Sequence, residues 1–196
     1  MRKLNSQIQN PQDTADAGKN EGSTGDSCFH GWIIGVLGGW FCEVYHRIMG
    51  EAIYTCRVAT IAEVFDLRHA ELRTGMARET ARFEGDDGAT TLHFGAFLRD
   101  GANIGCASFM LNSWEGEPAY RLRGMATRKD WVGRGVGAQL LEAGVETILR
   151  TTPIRVLWCN ARTAAVGFYE KQGWRVVSGE FSVPTVGPHY RMTRRL

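Results

Sequence analysis

The chain has 196 residues, 43% of them hydrophobic and 22% charged. That is enough for one domain with a real core plus an appendage, and it excludes a wholly disordered chain. The net charge of +2 is too small to argue for nucleic acid or an anionic membrane as partner. The five cysteines, Cys28, Cys42, Cys56, Cys106 and Cys159, are odd in number and lack Cys-x-x-Cys spacing. That usage suits a reducing compartment and neither a disulfide framework nor a zinc site. The expectation is a soluble cytoplasmic protein without a metal.

Residues 1–27 are polar and read as a disordered tail. The apolar run from Phe29 to Cys42 contains four glycines and is too short for a membrane span of about 20 residues. It lies too deep, without a basic lead or cleavage site, for a secretion signal. Two readings stand for residues 1–48. Trp32, Trp40 and Tyr45 could anchor a packed or interfacial segment, or the stretch is an upstream translated extension, since the sequence after Met49 reads like a domain start.

The domain, residues 50–196, opens with a candidate strand, Ala52 to Val58. Thr60 and Glu63 fit a capping box, and Ile61, Val64, Phe65 and Leu72 carry a helical stripe to about Arg73. Residues 74–90 mix charges and glycine and read as a loop or frayed helix, whose acidic residues Glu79, Glu84, Asp86 and Asp87 are by default solvated. Leu92–Leu98 and Ile104–Leu111 are strand-like, joined through Asp100-Gly101 as a hairpin. Residues Asn112 to Pro118 read as a connection, and Ala119–Ala126 as the next strand. Gly133-Arg134-Gly135-Val136-Gly137 then opens a helix whose apolar residues Val136, Leu140, Leu141, Val145, Ile148 and Leu149 recur near a period of 3.6. A strand at Ile154–Asn160, a short helix around Phe168-Tyr169, and strands at Arg175–Gly179 and His189–Thr193 complete an α+β sheet.

Three alternating glycines at a helix start let a ligand approach the backbone, and unpaired amides there attract anions. The turn lacks a Gly-Lys-Ser/Thr ending, and the following strand carries no acidic residue for a dinucleotide ribose. The pattern therefore points to a pyrophosphate of another kind.

Val132-Gly133-Arg134-Gly135-Val136-Gly137 after a strand, with Asn160 to Trp174 containing Phe168-Tyr169-Glu170-Lys171 and Gly173-Trp174, resembles the GNAT superfamily of acyl-CoA N-acyltransferases. The resemblance covers about residues 50–196. It implies a mixed, mostly antiparallel twisted sheet flanked by helices and splayed between strands 4 and 5, where the thioester arm of acetyl-CoA lies. It also implies direct transfer of an acetyl group from acetyl-CoA to a primary amine of a small molecule or protein through a ternary complex. A non-catalytic acyl-CoA-binding or sensing module is the alternative, and a homodimer is an assembly open to such a domain.

Carried over position by position, the amides of Gly133, Arg134, Gly135, Val136, Gly137 and Ala138 would hold the pyrophosphate, with Arg134 adding charge and Arg128 and Lys129 assisting. Met125, Ala126 and Thr127 would pair with the pantetheine amides, and Asn160 belongs with the cofactor-binding residues. Tyr169 matches the family's general acid for the departing thiolate. The resemblance places part of the acceptor site in the 74–90 region, where Glu79, Glu84, Asp86 and Asp87 could attract an amine, and Glu79, His93 and His189 are candidates for the general base. Arg121 and Arg123 share a strand face and could steer an anionic acceptor, or be a plain pair of surface arginines, the commoner case. Cys159 reads as a small buried residue rather than a nucleophile. Val132 stands where the family has Arg or Gln, and Arg162 where Asn is common, leaving Asn160 or Thr163 to cap the following helix.

Overall fold

The protein is described by a computed structural model, which covers residues 47–48 and 51–196. The disordered tail and Trp/Gly-rich segment expected before residue 47 lie outside the described residues. Arg47–Ile48 and Glu51–Ala52 form a short antiparallel pair of their own. The main fold begins with β1 (Tyr54–Ala59). At its end Thr60 is extended, its hydroxyl accepts from the Glu63 amide at 3.3 Å, and the Glu63 carboxylate accepts from the Thr60 amide at 2.7 Å. This capping box opens α1 (Ile61–Leu72), as the sequence predicts.

A 3-10 turn (Arg78–Ala81) interrupts the long connection to β2 (Leu92–Leu98). The Asp100-Gly101 hairpin leads into β3 (Asn103–Trp114), which continues past the expected end of this strand. No seven-residue connection follows. Glu115 and Gly116 both adopt positive φ (50° and 84°) and turn the chain at once into β4 (Glu117–Thr127). Two such residues suit the twist of a hairpin, so the polar segment extends the ladder instead of ending it. Then come α2 (Val136–Thr151), β5 (Val156–Arg162), α3 (Val166–Lys171), β6 (Arg175–Val176), β7 (Phe181–Val183) and β8 (Gly187–Arg195). The short β7 was not expected from the sequence.

The fold is α+β. Eight strands form one mixed, mostly antiparallel sheet in the order β1-β2-β3-β4-β5-β8-β6, with β7 also paired to β8. The parallel pair is β4 with β5, in register only at Tyr120–Leu157, Arg121–Trp158 and Leu122–Cys159. Beyond these pairs β4 runs on to Thr127 and β5 to Arg162 without partnering each other, which is the predicted splay.

Helices cover both faces. On one, Val136, Leu140, Leu141, Val145 and Ile148 of α2 are buried against Phe94, Phe109, Tyr120 and Leu157. Leu149, expected on this stripe, is 41% exposed, because it lies about 40° beyond Val145 around the helix. Gly144 occupies the middle of the arc instead, and a Cβ there would meet the Phe109 ring at 2.1 Å. The ring fills the space a side chain would take. On the other face, Val64 and Leu67 of α1 pack on Cys106 and Ala126.

Arg68 is on the buried side of α1 and is fully inaccessible. Its Nη1 donates to Asp86 Oδ2 at 2.6 Å and to the Ala81 carbonyl at 3.2 Å, and its Nη2 to Ser108 Oγ at 2.7 Å. Ser108 Oγ lies 2.7 Å from His93 Nδ1, and His93 Nε2 lies 2.8 Å from the Asp86 carbonyl. Since a carbonyl only accepts, Nε2 carries the hydrogen, and in that tautomer Nδ1 accepts the hydrogen bond that the Ser108 hydroxyl donates. The network ties α1, the 74–91 connection, β2 and β3 together. Breaking a buried ion pair from one side leaves an uncompensated charge, at about 3–5 kcal/mol. Asp86→Ala should therefore lower the unfolding free energy by about that amount in urea titrations, and a loss under about 1 kcal/mol would contradict the assignment.

Candidate functional site

The splay is built at β4. Cys106 pairs with Ala126 and Ser108 with Arg123, so Gly124 and Met125 together face Ala107 alone. This is a β-bulge, and it starts two residues past the last β4–β5 pair. A bulge adds twist and re-aims the strand. Gly124 has φ 59°, and a Cβ on it would lie 2.7 Å from Arg68 Nε. Only glycine satisfies both the left-handed backbone and the arginine packed beneath it. The β5-facing edge of residues 123–127 is left without a strand partner.

A cavity of about 250 Å³ lies at this opening, lined among others by Met125, Asn160, Tyr169 and His189. Tyr169 is 8% exposed, and its hydroxyl donates to Met125 Sδ at 3.5 Å across the gap. Its ring packs edge-on against Phe168 and Trp174 at 5.1 and 5.5 Å. Burial, and secondarily Cys159, pushes the phenol far above its ordinary value, so Tyr169 keeps its proton at any physiological pH. Asn160 Oδ1 is buried in the same wall without a hydrogen-bond partner. It does not cap the helix that follows: Thr163 donates to Glu180 Oε2 at 3.1 Å, and neither the 3-10 turn at Thr163–Ala165 nor α3 has a side-chain cap. The expected capping by Asn160 or Thr163 is thus absent.

The glycine turn stands at the start of α2. Gly135 is its N-cap in the left-handed region (φ 84°), with no side-chain cap, and Gln139 N donates to Gly135 O at 3.1 Å. The amides of Val136, Gly137 and Ala138 precede that first helical bond and have no partner within the helix. Gly133, Arg134 and Gly135 are exposed, so nothing seals the turn. Gly137 is where α2 closes on the splay, since a Cβ there would lie 3.2 Å from both Met125 Cε and Phe168 Cζ. Arg134 lies over the Trp131 ring at 5.0 Å, and Val132 is 66% exposed. Arg128 is engaged by Asp130 at 2.7 Å.

The three candidates for a base occupy different places. His189 lies in the cavity wall, 6% exposed; its Nδ1 sits 2.8 Å from the Gly187 carbonyl and so carries the hydrogen, leaving Nε2 as the acceptor. His93 spends both ring nitrogens in the Arg68 network. Glu79 is exposed on the 3-10 turn and does not line the cavity. Of the acidic residues in the 74–90 loop, Asp86 is buried on Arg68 and Asp87 pairs with Arg82 at 2.6 Å, so these two already have cationic partners. Arg68 itself was missed at the sequence level, although position 68 continues the 61-64-65-72 stripe. A charge on an apolar stripe was the available signal.

A strand-bulge-splay sheet with a glycine-opened helix beside the gap is the arrangement that the sequence resemblance implies for an acyltransferase. The sequence model described as "Acetyltransferase (GNAT) domain" matches residues 91–176. The chain is 32% identical over 146 residues to the uncharacterized N-acetyltransferase YitI of Bacillus subtilis (strain 168), covering 71% of this chain and 95% of that protein. Among solved structures, a GCN5-related N-acetyltransferase from Kribbella flavida superimposes with a TM-score of 0.55 at 21% identity, covering 74% of this chain and 98% of the other. An acyl-CoA N-acyltransferase from Pseudomonas aeruginosa does so at 0.54 and 19%, covering 72% and 97%. The protein belongs to the GNAT family of N-acetyltransferases, enzymes whose fold implies an acyl-CoA cosubstrate. Among the described residues no cluster of His, Cys, Asp or Glu could hold a metal ion, and no helix is long and apolar enough to cross a membrane.

Cys159, on the cavity wall, is 2% exposed, and burial pushes its thiol up to about 12. Cys56 and Cys106 are likewise raised by burial, to about 12 and about 11. All three should stay protonated and resist iodoacetamide at pH ~8, where an unperturbed thiol of pKa ~8.5 is partly ionised. Mass spectrometry after native and urea-denatured labelling checks this. Rapid native labelling of Cys159 would contradict its reading as an inert wall residue.

Proposed function

We propose that the protein transfers an acetyl group from acetyl-CoA directly to a primary amine within a ternary complex. The observation that carries this reading is the meeting, at one cavity, of an unpartnered β4 edge, the Tyr169 hydroxyl and the buried, unpartnered Asn160 oxygen. The residues present fit an acyl-CoA: a pyrophosphate suits the turn from Gly133 to Ala138, where Gly133 and Gly135 are exposed and the amides of Val136, Gly137 and Ala138 have no partner within the helix, and a pantetheine arm has amide groups to match a strand edge at Met125, Ala126 and Thr127. The bound thioester would supply an activated acyl carbon and a thiolate leaving group.

The chain's own residues then have distinct tasks. The unpaired amides at the start of α2, with the helix dipole and Arg134, hold negative charge in place. An amide of the β4 edge near Met125 polarises the acyl carbonyl, because a fixed donor in a dry site needs no reorganisation as charge develops. His189 Nε2 takes the proton that the attacking amine must shed as the new C–N bond forms. Tyr169 donates a hydrogen bond to the sulfur as the C–S bond breaks. With its phenol far above a thiol of pKa ~8.5, it stabilises the thiolate by that bond more than by full proton transfer. Among the described residues the thiols of Cys56, Cys106 and Cys159 are unpaired, which fits a reducing cytoplasm.

Two variants test separate parts. Gly135→Glu places a carboxylate at the mouth of the cradle and should raise the acetyl-CoA KM by tenfold or more, on the order of 1.4 kcal/mol of lost binding. Gly135→Ala, the control for backbone strain at φ 84°, should raise it much less. Equal KM values for the wild type and a folded Gly135→Glu would contradict the cradle. Tyr169→Phe should lower kcat by roughly 10–100-fold with little change in acetyl-CoA KM, as expected for loss of a donor used in the transition state. Unchanged kcat would assign Tyr169 to packing alone.

A further inference from the structure

We propose that the amine accepted at this site carries an oxyanion group, a carboxylate or a phosphate, held by arginines on the α1 face of the splay. This inference rests on the acetyl-transfer reading above and names its substrate class.

The strand registers divide the opening into two faces. Tyr120, Leu122, Leu157 and Cys159 point into the core beneath α2. Arg121 and Arg123 alternate with them on β4, and Trp158, Asn160 and Arg162 on β5, so these side chains share the opposite face. The cross-strand partners of Asn160 and Arg162 on β8 are Arg191 and His189. Arg73, the C-cap of α1, closes the same side. The glycine turn belongs to the helix on the other face, so these arginines are separate from the proposed pyrophosphate cradle.

Arg73, Arg121, Arg123, Arg162 and His189 line the cavity, and no aspartate or glutamate does. None of the four arginines forms an ion pair with a carboxylate among the described residues. Their neighbours are rings and neutral acceptors. Arg121 lies over Trp158 at 4.6 Å, with its Nε buried and unpartnered. Arg73 and Arg123 lie over Phe83 at 5.1 and 4.8 Å. Arg162 donates to the Leu72 carbonyl at 3.2 Å, and Arg123 to the Glu84 carbonyl at 2.6 Å. Burial lowers the pKa of Arg73, Arg121 and Arg123; Arg162 adds repulsion at Arg73 and Arg191 at Arg121, while nearby Asp86 and Glu84 act in the opposite direction on Arg123.

Arg73, Arg121 and Arg123 are half-buried like charges with no carboxylate in direct contact, which is costly, and an anion entering the cavity offsets that cost. Guanidinium forks match the two oxygens of a carboxylate or phosphate and orient them, which a single ammonium does not do. Such an anchor beside His189 would set the amine of a small zwitterion toward the β4 edge. The same field repels polyamines and basic peptides.

The test compares matched acceptors on the wild-type protein: an amino acid against its amide, O-phosphoethanolamine against ethanolamine, and spermidine as the cationic member. Thiol release and calorimetric binding to CoA-loaded protein are both read. The expected result is a preference for one of the anionic members of roughly tenfold or more over its neutral counterpart, the size of one charge-assisted hydrogen bond. The pair showing it identifies carboxylate or phosphate as the group. Arg121→Gln and Arg162→Gln should each reduce that preference ratio severalfold, with acetyl-CoA binding retained as the check on folding. Equal response across charged and neutral members, a preference for spermidine, or no response from any of them overturns the inference while leaving acetyl-CoA binding to stand. Failure to bind acetyl-CoA at all would instead remove the acetyl-transfer reading, and this one with it.

Discussion

A buried guanidinium packed under a glycine is the contact on which the rest of this structure depends. Arg68 reaches from α1 onto the sheet at Gly124, and its charge is met by Asp86 and Ser108. Gly124 in turn is the first residue of the bulge that carries β4 away from β5. A side chain at 124 would displace the arginine, and the arginine's loss would free the connection that Asp86 fixes. Local backbone conformation and a charged core are thus solved together. The cost of burying a charge is offset because its partners are hydrogen-bonded in turn: the Asp86 carboxylate also accepts from the Phe83 amide at 2.7 Å, and His93 closes the circuit.

From that arrangement the two sheet faces acquire separate chemistry. On the α2 side, small residues permit close approach. Gly144 admits the Phe109 ring, and Gly137 admits Met125 and Phe168, so the start of α2 sits against the opening. On the α1 side, long basic side chains lie flat on Phe83 and Trp158 and keep their charged ends near the cavity. Phe83 belongs to the connection pinned by Asp86, so the same buried pair that supports the bulge also positions the platform for Arg73 and Arg123.

Much of this was legible in the sequence where a local rule and the global fold agree. Thr60 and Glu63 announce α1 because both halves of a capping box are short-range, and Gly133 to Gly137 announce the start of α2 because its backbone needs are strict. The α+β order and the splay were readable as well, the splay through resemblance. What stayed hidden depended on long-range compensation. Arg68 lies on the apolar stripe of α1, but its partner Asp86, 18 positions later, cannot be matched to it until the fold places the two together. Leu149 reads as core until the width of the buried arc is known. The polar end of the β3–β4 hairpin reads as loop because its support comes from elsewhere, with Trp114 on Trp158 at 5.5 Å and Arg195 on Glu117 at 2.9 Å. For the site, Tyr169 and His189 were candidates by motif and by turn. That both line one cavity with Asn160, while His93 does not, required the fold.

Amide hydrogen exchange with and without acetyl-CoA bears most directly on the central claim that the parted edge of β4 and the turn before α2 together receive a thioester cosubstrate. Slowed exchange is predicted in two segments, residues 124–127 and residues 133–138, with β1 and β2 unchanged. Binding that protects neither segment, or protects amides only on the far side of the sheet, would contradict the account.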